Sequence, residues 1–155
     1  MNYGGANSFT VQLMDSNGRQ VAMLAGSTGP YNGSRALGVN STGNYSLNVQ
    51  ATGPWTITIT QPRNVGGPQT PLSLSGVGPA ATEFFYPEGD PVLFKIGYIG
   101  AGEFNATILD TNGGLVATII DQKGSFGGSQ YVYLFPGYYM LNVQTDGKWN
   151  IWIGQ

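Results

Sequence analysis

The chain has 155 residues, of which 41% are hydrophobic and only 9% charged, with a net charge of −2. That balance can build cores but offers no basic patch for nucleic acid, and no apolar run approaches the roughly 18 residues of a membrane span. Cysteine and histidine are both absent, which excludes disulfides, thiolate chemistry, the commonest zinc ligand and the Ser-His-Asp triad.

The opening Met1-Asn2-Tyr3-Gly4-Gly5 lacks the basic n-region and apolar core of a signal peptide. Phe9, Val11 and Leu13 then alternate with polar residues, the period of a strand with one buried face. Asp15-Ser16-Asn17-Gly18 follows. Asn-Gly predicts a type I′ hairpin turn, in which both central residues have positive φ. Asp15 suits its entry, because an aspartate side chain bonds nearby backbone N–H groups. A second strand, a glycine-rich loop ending at Gly33-Ser34 and a three-strand meander are expected next. Leu37/Val39, Tyr45/Leu47/Val49 and Trp55/Ile57/Ile59 are its inward residues, with turns at Gly43 and at Thr52-Gly53. Residues 62–70 read as a linker. Residues 71–95 supply extra strands: Leu72/Leu74, then Glu83-Phe84-Phe85-Tyr86, then Val92-Leu93-Phe94-Lys95-Ile96.

From there the design repeats. Tyr3-x-Gly5-Ala6-x-x-Phe9 returns as Tyr98-x-Gly100-Ala101-x-x-Phe104, and Asp15-x-Asn17-Gly18 as Asp110-x-Asn112-Gly113. Gly33-Ser34 returns as Gly128-Ser129; one deletion follows. Tyr45-x-Leu47-Asn48-Val49-Gln50 then meets Tyr139-x-Leu141-Asn142-Val143-Gln144. Gly53-x-Trp55-x-Ile57-x-Ile59-x-Gln61 meets Gly147-x-Trp149-x-Ile151-x-Ile153-x-Gln155. A repeat this long means two copies of a small domain rather than a solenoid. The expected fold is all-β: two tandem antiparallel β-sandwich, jelly-roll-like domains. Repeat A spans 1–61, the linker 62–70 and repeat B 71–155. Repeat A has no counterpart of 71–95, and Met1 aligns with Ile96 inside an expected strand. The first domain is therefore expected to lack N-terminal strands.

The run Phe9-x-Val11-x-Leu13-x-Asp15-x-Asn17-Gly18, with Gly33-Ser34 and Gly43-x-Tyr45-x-Leu47-x-Val49-x-Ala51-x-Gly53-x-Trp55-x-Ile57-x-Ile59-x-Gln61-Pro62, resembles a broad group of secreted prokaryotic β-sandwich repeat domains. They occur in lipoproteins and surface proteins, often in tandem. The chain is also similar in outline to the sandwich domains that trail secreted peptidases. The resemblance implies an extracellular or cell-surface location and no shared catalytic motif. Few charges, no cysteine and many hydroxyl side chains agree with that location. Four Asn-x-Ser/Thr sequons, at Asn32, Asn40, Asn44 and Asn105, are glycosylation candidates; abundant Asn and Thr in turns and strands explain them equally well.

The copies differ at their outward positions. Tyr131, Tyr133, Phe135, Tyr138, Met140 and Trp152 stand where repeat A has Ala36, Gly38, Asn40, Asn44, Ser46 and Thr58. A meander would set these six side by side on one sheet face, a patch too large for a monomer to leave wet. Three readings stand: packing within the chain, a subunit interface, or a platform for sugar rings. The missing strands pose a parallel problem, since an unpaired sheet edge is an aggregation template. Either the chain is an excerpt of a longer array, or residues 71–95 serve repeat A, or another subunit donates a strand.

Glu88-Gly89-Asp90 is the only close acidic pair. Glu88 and Asp90 could offer oxygen ligands to Ca²⁺, though a solvated turn accounts for them; no other cofactor is expected. Gly4-Gly5 and Gly127-Gly128 do not open a helix, so no phosphate loop is read there. The leading expectation is a non-enzymatic extracellular structural protein, self-assembling into a filament or surface layer by strand complementation and burial of the aromatic face. A head-to-tail contact of that kind polymerises when it does not close. The rival class is a carbohydrate-binding or adhesion module that stacks sugars on Tyr131, Tyr133, Tyr138 and Trp152. A capsid- or surface-decorating protein is a further alternative.

Overall fold

The computed structural model describes residues 1–62 and 65–155. It is all-β, with four antiparallel sheets arranged as two sandwich-like bodies and no helix among the described residues. By contact the chain divides into unit 1 (Met1–Arg35 with Val39–Gln61) and unit 2 (Ala36–Gly38 with Pro62–Gln155).

Unit 1 contains β1 (Asn2–Tyr3), β2 (Ser8–Met14), β3 (Gln20–Thr28), β4 (Tyr31–Asn32), β5 (Ser46–Gln50) and β6 (Trp55–Thr56). They form two three-stranded sheets, β3-β2-β5 and β4-β1-β6. Unit 2 contains β7 (Leu72–Val77), β8 (Ala80–Ala81), β9 (Val92–Ile99), β10 (Glu103–Leu109), β11 (Leu115–Lys123), β12 (Phe126–Val132), β13 (Met140–Thr145) and β14 (Lys148–Gly154). Its sheets have four strands each, β11-β10-β13-β8 and β12-β9-β14-β7.

The repeat holds down to register. Tyr3 faces Trp55 across β1 and β6, as Tyr98 faces Trp149 across β9 and β14. Pairing slips after Val11 and Leu13 in β2, and after Ala106 and Ile108 in β10. The Tyr-x-Gly motif has a steric cause. A Cβ on Gly5 or Gly100 would overlap the hydroxyl of Tyr3 or Tyr98, so glycine lets each ring lie flat along its own strand. Each ring then stacks on the following phenylalanine: Tyr3 on Phe9 and Tyr98 on Phe104, both at 4.7 Å between centroids.

The Asp-x-Asn-Gly hairpins form as expected, but not through type I′ turns. Gly18 and Gly113 have φ of 73° and 79°, whereas no non-glycine residue described has positive φ. Gly18 N–H donates to Asp15 O at 3.1 Å, and Gly113 N–H to Asp110 O at 3.0 Å. This is a turn of ordinary hand followed by a left-handed glycine. The aspartates cause it. Asp15 Oδ1 accepts the N–H groups of Asn17 and Arg19, and Asp110 Oδ1 those of Asn112 and Gly114, which holds the intervening residues at negative φ.

Four other segments depart from expectation, the first being the strand expected over Trp55, Ile57 and Ile59, which shortens to β6 at Trp55–Thr56. Residues 33–45 form no strand, so unit 1 lacks the first strand of its meander. In unit 2 the counterpart, Ser129–Val132 of β12, is held by Val92–Lys95 of β9; β1 is only Asn2–Tyr3 and offers nothing equivalent. The expected strand at 83–86 reduces to two isolated bridges, Phe85 with Tyr139 and Tyr86 with Gln69. Finally, residues 68–70 are not a free linker. Thr70 is buried, its N–H donates to Tyr86 O, and Tyr86 N–H donates to Pro68 O.

The cores are unequal. Unit 2 buries sixteen residues in one cluster, among them Phe94, Phe104, Ile108, Leu141, Val143, Trp149, Ile151 and Ile153. Unit 1 buries only Tyr3, Phe9, Val11 and Ala25, with Leu24, Leu47, Val49 and Ile57 partly covered. Equivalent residues thus carry different energies. Ile153→Ala is expected to cost about 2–5 kcal/mol. Ile59→Ala, at the matching exposed position, should stay within about 0.5 kcal/mol. Urea denaturation of both variants checks the contrast.

Tyr98 donates its hydroxyl to the Asp146 carboxylate. Burial foremost, then that hydrogen bond, raises its pKa above the ordinary 10.0. The folded state therefore holds this proton more tightly than the unfolded chain. The stabilisation is complete below pH 10 and is lost as pH climbs through the raised folded value. Tyr98→Phe should make the alkaline loss of stability shallower. Thermal melts taken across that range measure it.

Candidate functional site

A single segment closes both sheets of unit 2. β7 pairs with β14 from Leu72 opposite Ile153 to Val77 opposite Lys148. The chain turns at Gly78, whose φ is 74°, and β8 then pairs with β13, Ala80 opposite Val143 and Ala81 opposite Asn142. Trp149 anchors the corner. It faces Gly76, where a Cβ would come within 2.6 Å of its ring, and its Nε1–H donates to Gly78 O at 3.0 Å. Gly78 N–H in turn donates to Gly147 O, and Thr82 N–H to Leu141 O, both at 2.9 Å. Residues 71–95 therefore serve repeat B, not repeat A.

Unit 1 has the same acceptor residues and no such segment. β5 and β6, the equivalents of β13 and β14, end their sheets as edge strands. Trp55 is 48% exposed where Trp149 is 4% exposed, and Ile59 is 75% exposed where Ile153 is fully buried. Leu47 and Val49 are half-buried, against fully buried Leu141 and Val143. The inward assignment of Trp55 and Ile59 from periodicity is thus corrected: β6 ends at Thr56, residues 57–61 form no strand, and of Trp55, Ile57 and Ile59 only Ile57 packs against the core. Natural edges are usually blunted by charges or proline. Ser46–Gln50 and residues 55–61 carry no charge, and proline stands only at the flanks, Pro54 and Pro62. The signal for this site was the unmatched segment 71–95.

The six large side chains grouped by the repeat do not share one face. Tyr131 lies on the outer face of its sheet, opposite Leu93, which is itself opposite Gly154. Trp152 is on that face too, lying over Gly154 and capped by Lys95, whose Nζ is 4.6 Å from the ring centroid. Tyr133 and Phe135 follow beyond the end of β12, alternating with Val132 and buried Leu134. Tyr131, Tyr133 and Phe135 are 58%, 76% and 87% exposed. Met140 belongs to the other sheet, opposite Leu109. Tyr138 packs edge-on against Tyr86, with 5.3 Å between centroids. The error has a topological cause: β12 and β13 lie in different sheets, so residues of one apparent meander separate onto two faces. Of the six, Tyr131, Tyr133 and Phe135 are the ones left exposed, in a row that begins on β12.

Of the sequons, Asn32, Asn40 and Asn44 are exposed; Asn105 is half-buried on β10, opposite Asp121 and Gln144. Glu88 and Asp90 are exposed around Gly89. Asp90 Oδ1 accepts the N–H of Leu134 at 3.3 Å, and Glu88 N–H donates to Thr70 Oγ1 at 2.7 Å. Among the described residues no three His, Cys, Asp or Glu gather as metal ligands. Unit 2 has a cleft of about 310 Å³ between its β7 and β8 edges, lined chiefly by Leu72, Leu74, Ala80, Phe84, Phe85 and Trp149. Among its described lining residues Glu83 alone is ionisable, so these offer no pair of groups for acid–base chemistry. A comparison with protein-family models, curated proteins and solved structures finds no match to this chain.

Proposed function

We propose that the chain is a non-enzymatic extracellular structural protein that assembles with further subunits into a filament or surface layer. Two contacts would hold the assembly: burial of the aromatic row of unit 2, which joins copies of the chain, and strand complementation at the open side of unit 1. The observation that carries the reading is the exposure of Trp55 and Ile59 beside two uncharged, unpaired edges. An edge of this kind recruits another strand through its backbone groups, and apolar side chains along it add affinity. Three exposed aromatics in a row exceed the scattered apolar residues of an ordinary surface, and aromatic residues are the commonest anchors of protein interfaces.

The same aromatic row supports a second reading, a carbohydrate-binding or adhesion module. Tyr131, Tyr133 and Phe135 present ring surface on which sugars can stack.

Light scattering with negative-stain imaging separates the two. A structural subunit should exceed 16.4 kDa without any added ligand. A double variant, Tyr133→Ser with Phe135→Ser, should return it toward the monomer without unfolding, since both side chains stand in solvent. A chain that stays monomeric at every concentration, and binds a glycan through those rings, is the adhesion module instead.

A further inference from the structure

We infer that the open side of unit 1 is an acceptor for an uncharged strand–turn–strand segment of the type found at residues 72–81. The inference rests on the reading of that side as an assembly contact, and names what occupies it.

Unit 2 supplies the template. The residues that seat β7 and β8 there are Trp149, Ile151, Ile153, Asn142 and Val143. The repeat puts Trp55, Ile57, Ile59, Asn48 and Val49 at the same places in unit 1. The surrounding frame is the same at Trp55 and Val49, since Tyr3 faces Trp55 and Val11 faces Val49 as Tyr98 faces Trp149 and Ala106 faces Val143; beyond Thr56 it differs, because β14 stays paired with β9 as far as Gly154 whereas residues 57–61 form no strand. A segment docked in the template's register sets a Leu72-like residue opposite Ile59 and a Gly76-like residue opposite Trp55. The constraint at Trp55 is steric, because the ring of Trp149 occupies the space of a Cβ on Gly76. It is also polar, because the Trp149 indole N–H is satisfied by Gly78 O, two residues further on. A donor must therefore carry a small residue opposite Trp55 and a carbonyl just past it. Pro54 stands where unit 2 has Lys148 and has no N–H, so the ladder runs from Trp55 toward Ile59.

Charge agrees with this occupant. Neither Ser46–Gln50 nor residues 55–61 carry a charged side chain, and neither does the segment 72–81. Docking thus buries apolar surface and pairs backbone without stripping water from an ion. The donor is a segment not folded into a sandwich of its own. In each copy of this chain the corner is already seated on its own β14 and β13, so a second copy would lose as much pairing as it gained by exchange.

The test is titration of the full chain with a synthetic peptide of residues 71–82, followed by amide and indole NMR shifts. Saturable shifts are expected at Val49, Trp55, Ile57 and Ile59 and at the Trp55 indole N–H. A peptide with Gly76→Leu should produce none. In the chain, Ile59→Asp should weaken binding about tenfold or more, roughly 1.4 kcal/mol; it alters an exposed side chain and should leave the fold intact. Absence of shifts overturns the inference, as do shifts confined to β13 and β14, or binding indifferent to Ile59→Asp. A dimer of the chain alone that blocks the peptide makes a second copy the occupant and overturns it too. Assembly without peptide binding leaves the structural reading standing and removes this one. A monomer that binds the peptide does the reverse.

Discussion

The backbone of a sheet edge must be paired, covered or defended, and the rest of this structure follows from how that demand is met. In unit 2 one short segment meets it for two sheets at once: β7 closes the edge of β14, Gly78 turns the chain, and β8 closes the edge of β13. Because the segment also lies across the mouth between the layers, the indole of Trp149 is sealed in and hydrogen-bonded. Burial of Ile151 and Ile153 then follows, since their strand becomes a central one. Unit 1 repeats the sequence of the acceptor strands without the segment. Its β5 and β6 are edges and its core is small. Hydrophobicity of a strand therefore does not decide its burial; the neighbouring strand does.

Much of this was legible in the residues. Alternation at Phe9/Val11/Leu13 and at Trp149/Ile151/Ile153 follows the strand period, and the duplicated motifs predict two bodies with one topology. The unmatched segment 71–95 predicts the open side of unit 1. Turn type was not legible from Asn-Gly alone, because Asp15 and Asp110 compete for the same backbone N–H groups and win. Nor was the absence of a strand at 33–45. Its apolar pattern matches β12, but a strand needs a partner of equal length, and β1 is two residues long. Local pattern can state a preference for strand; it cannot supply the pairing.

The aromatic positions show the same limit from another side. Parity along β12 correctly set Tyr131 outward, and the alternation continues through Tyr133 and Phe135. The step that failed was adjacency. Consecutive strands are not neighbours here: β12 pairs with β9, and β13 with β10 and β8. The chain crosses between layers at residues 133–139, which carries Met140 onto the opposite sheet. Period-2 reasoning is reliable within a strand and silent about which sheet the next strand joins.

The imbalance between the units bears on stability as much as on assembly. A body of about 60 residues buries only about 60% of its unfolded surface even with a complete set of strands. Unit 1 has four buried apolar residues and two sheets of three strands, so it sits nearer the margin than unit 2. What holds it is concentrated around Tyr3, whose ring stacks on Phe9 and whose hydroxyl lies 3.4 Å from Thr52 Oγ1, with Phe9 in turn against Tyr31. None of these contacts lies on the open side. A strand added there would pair the open edges of β5 and β6 and cover Trp55 and Ile59. That makes the open side a place where binding and folding free energy are the same quantity: any segment that docks there raises the stability of unit 1 by its own occupancy.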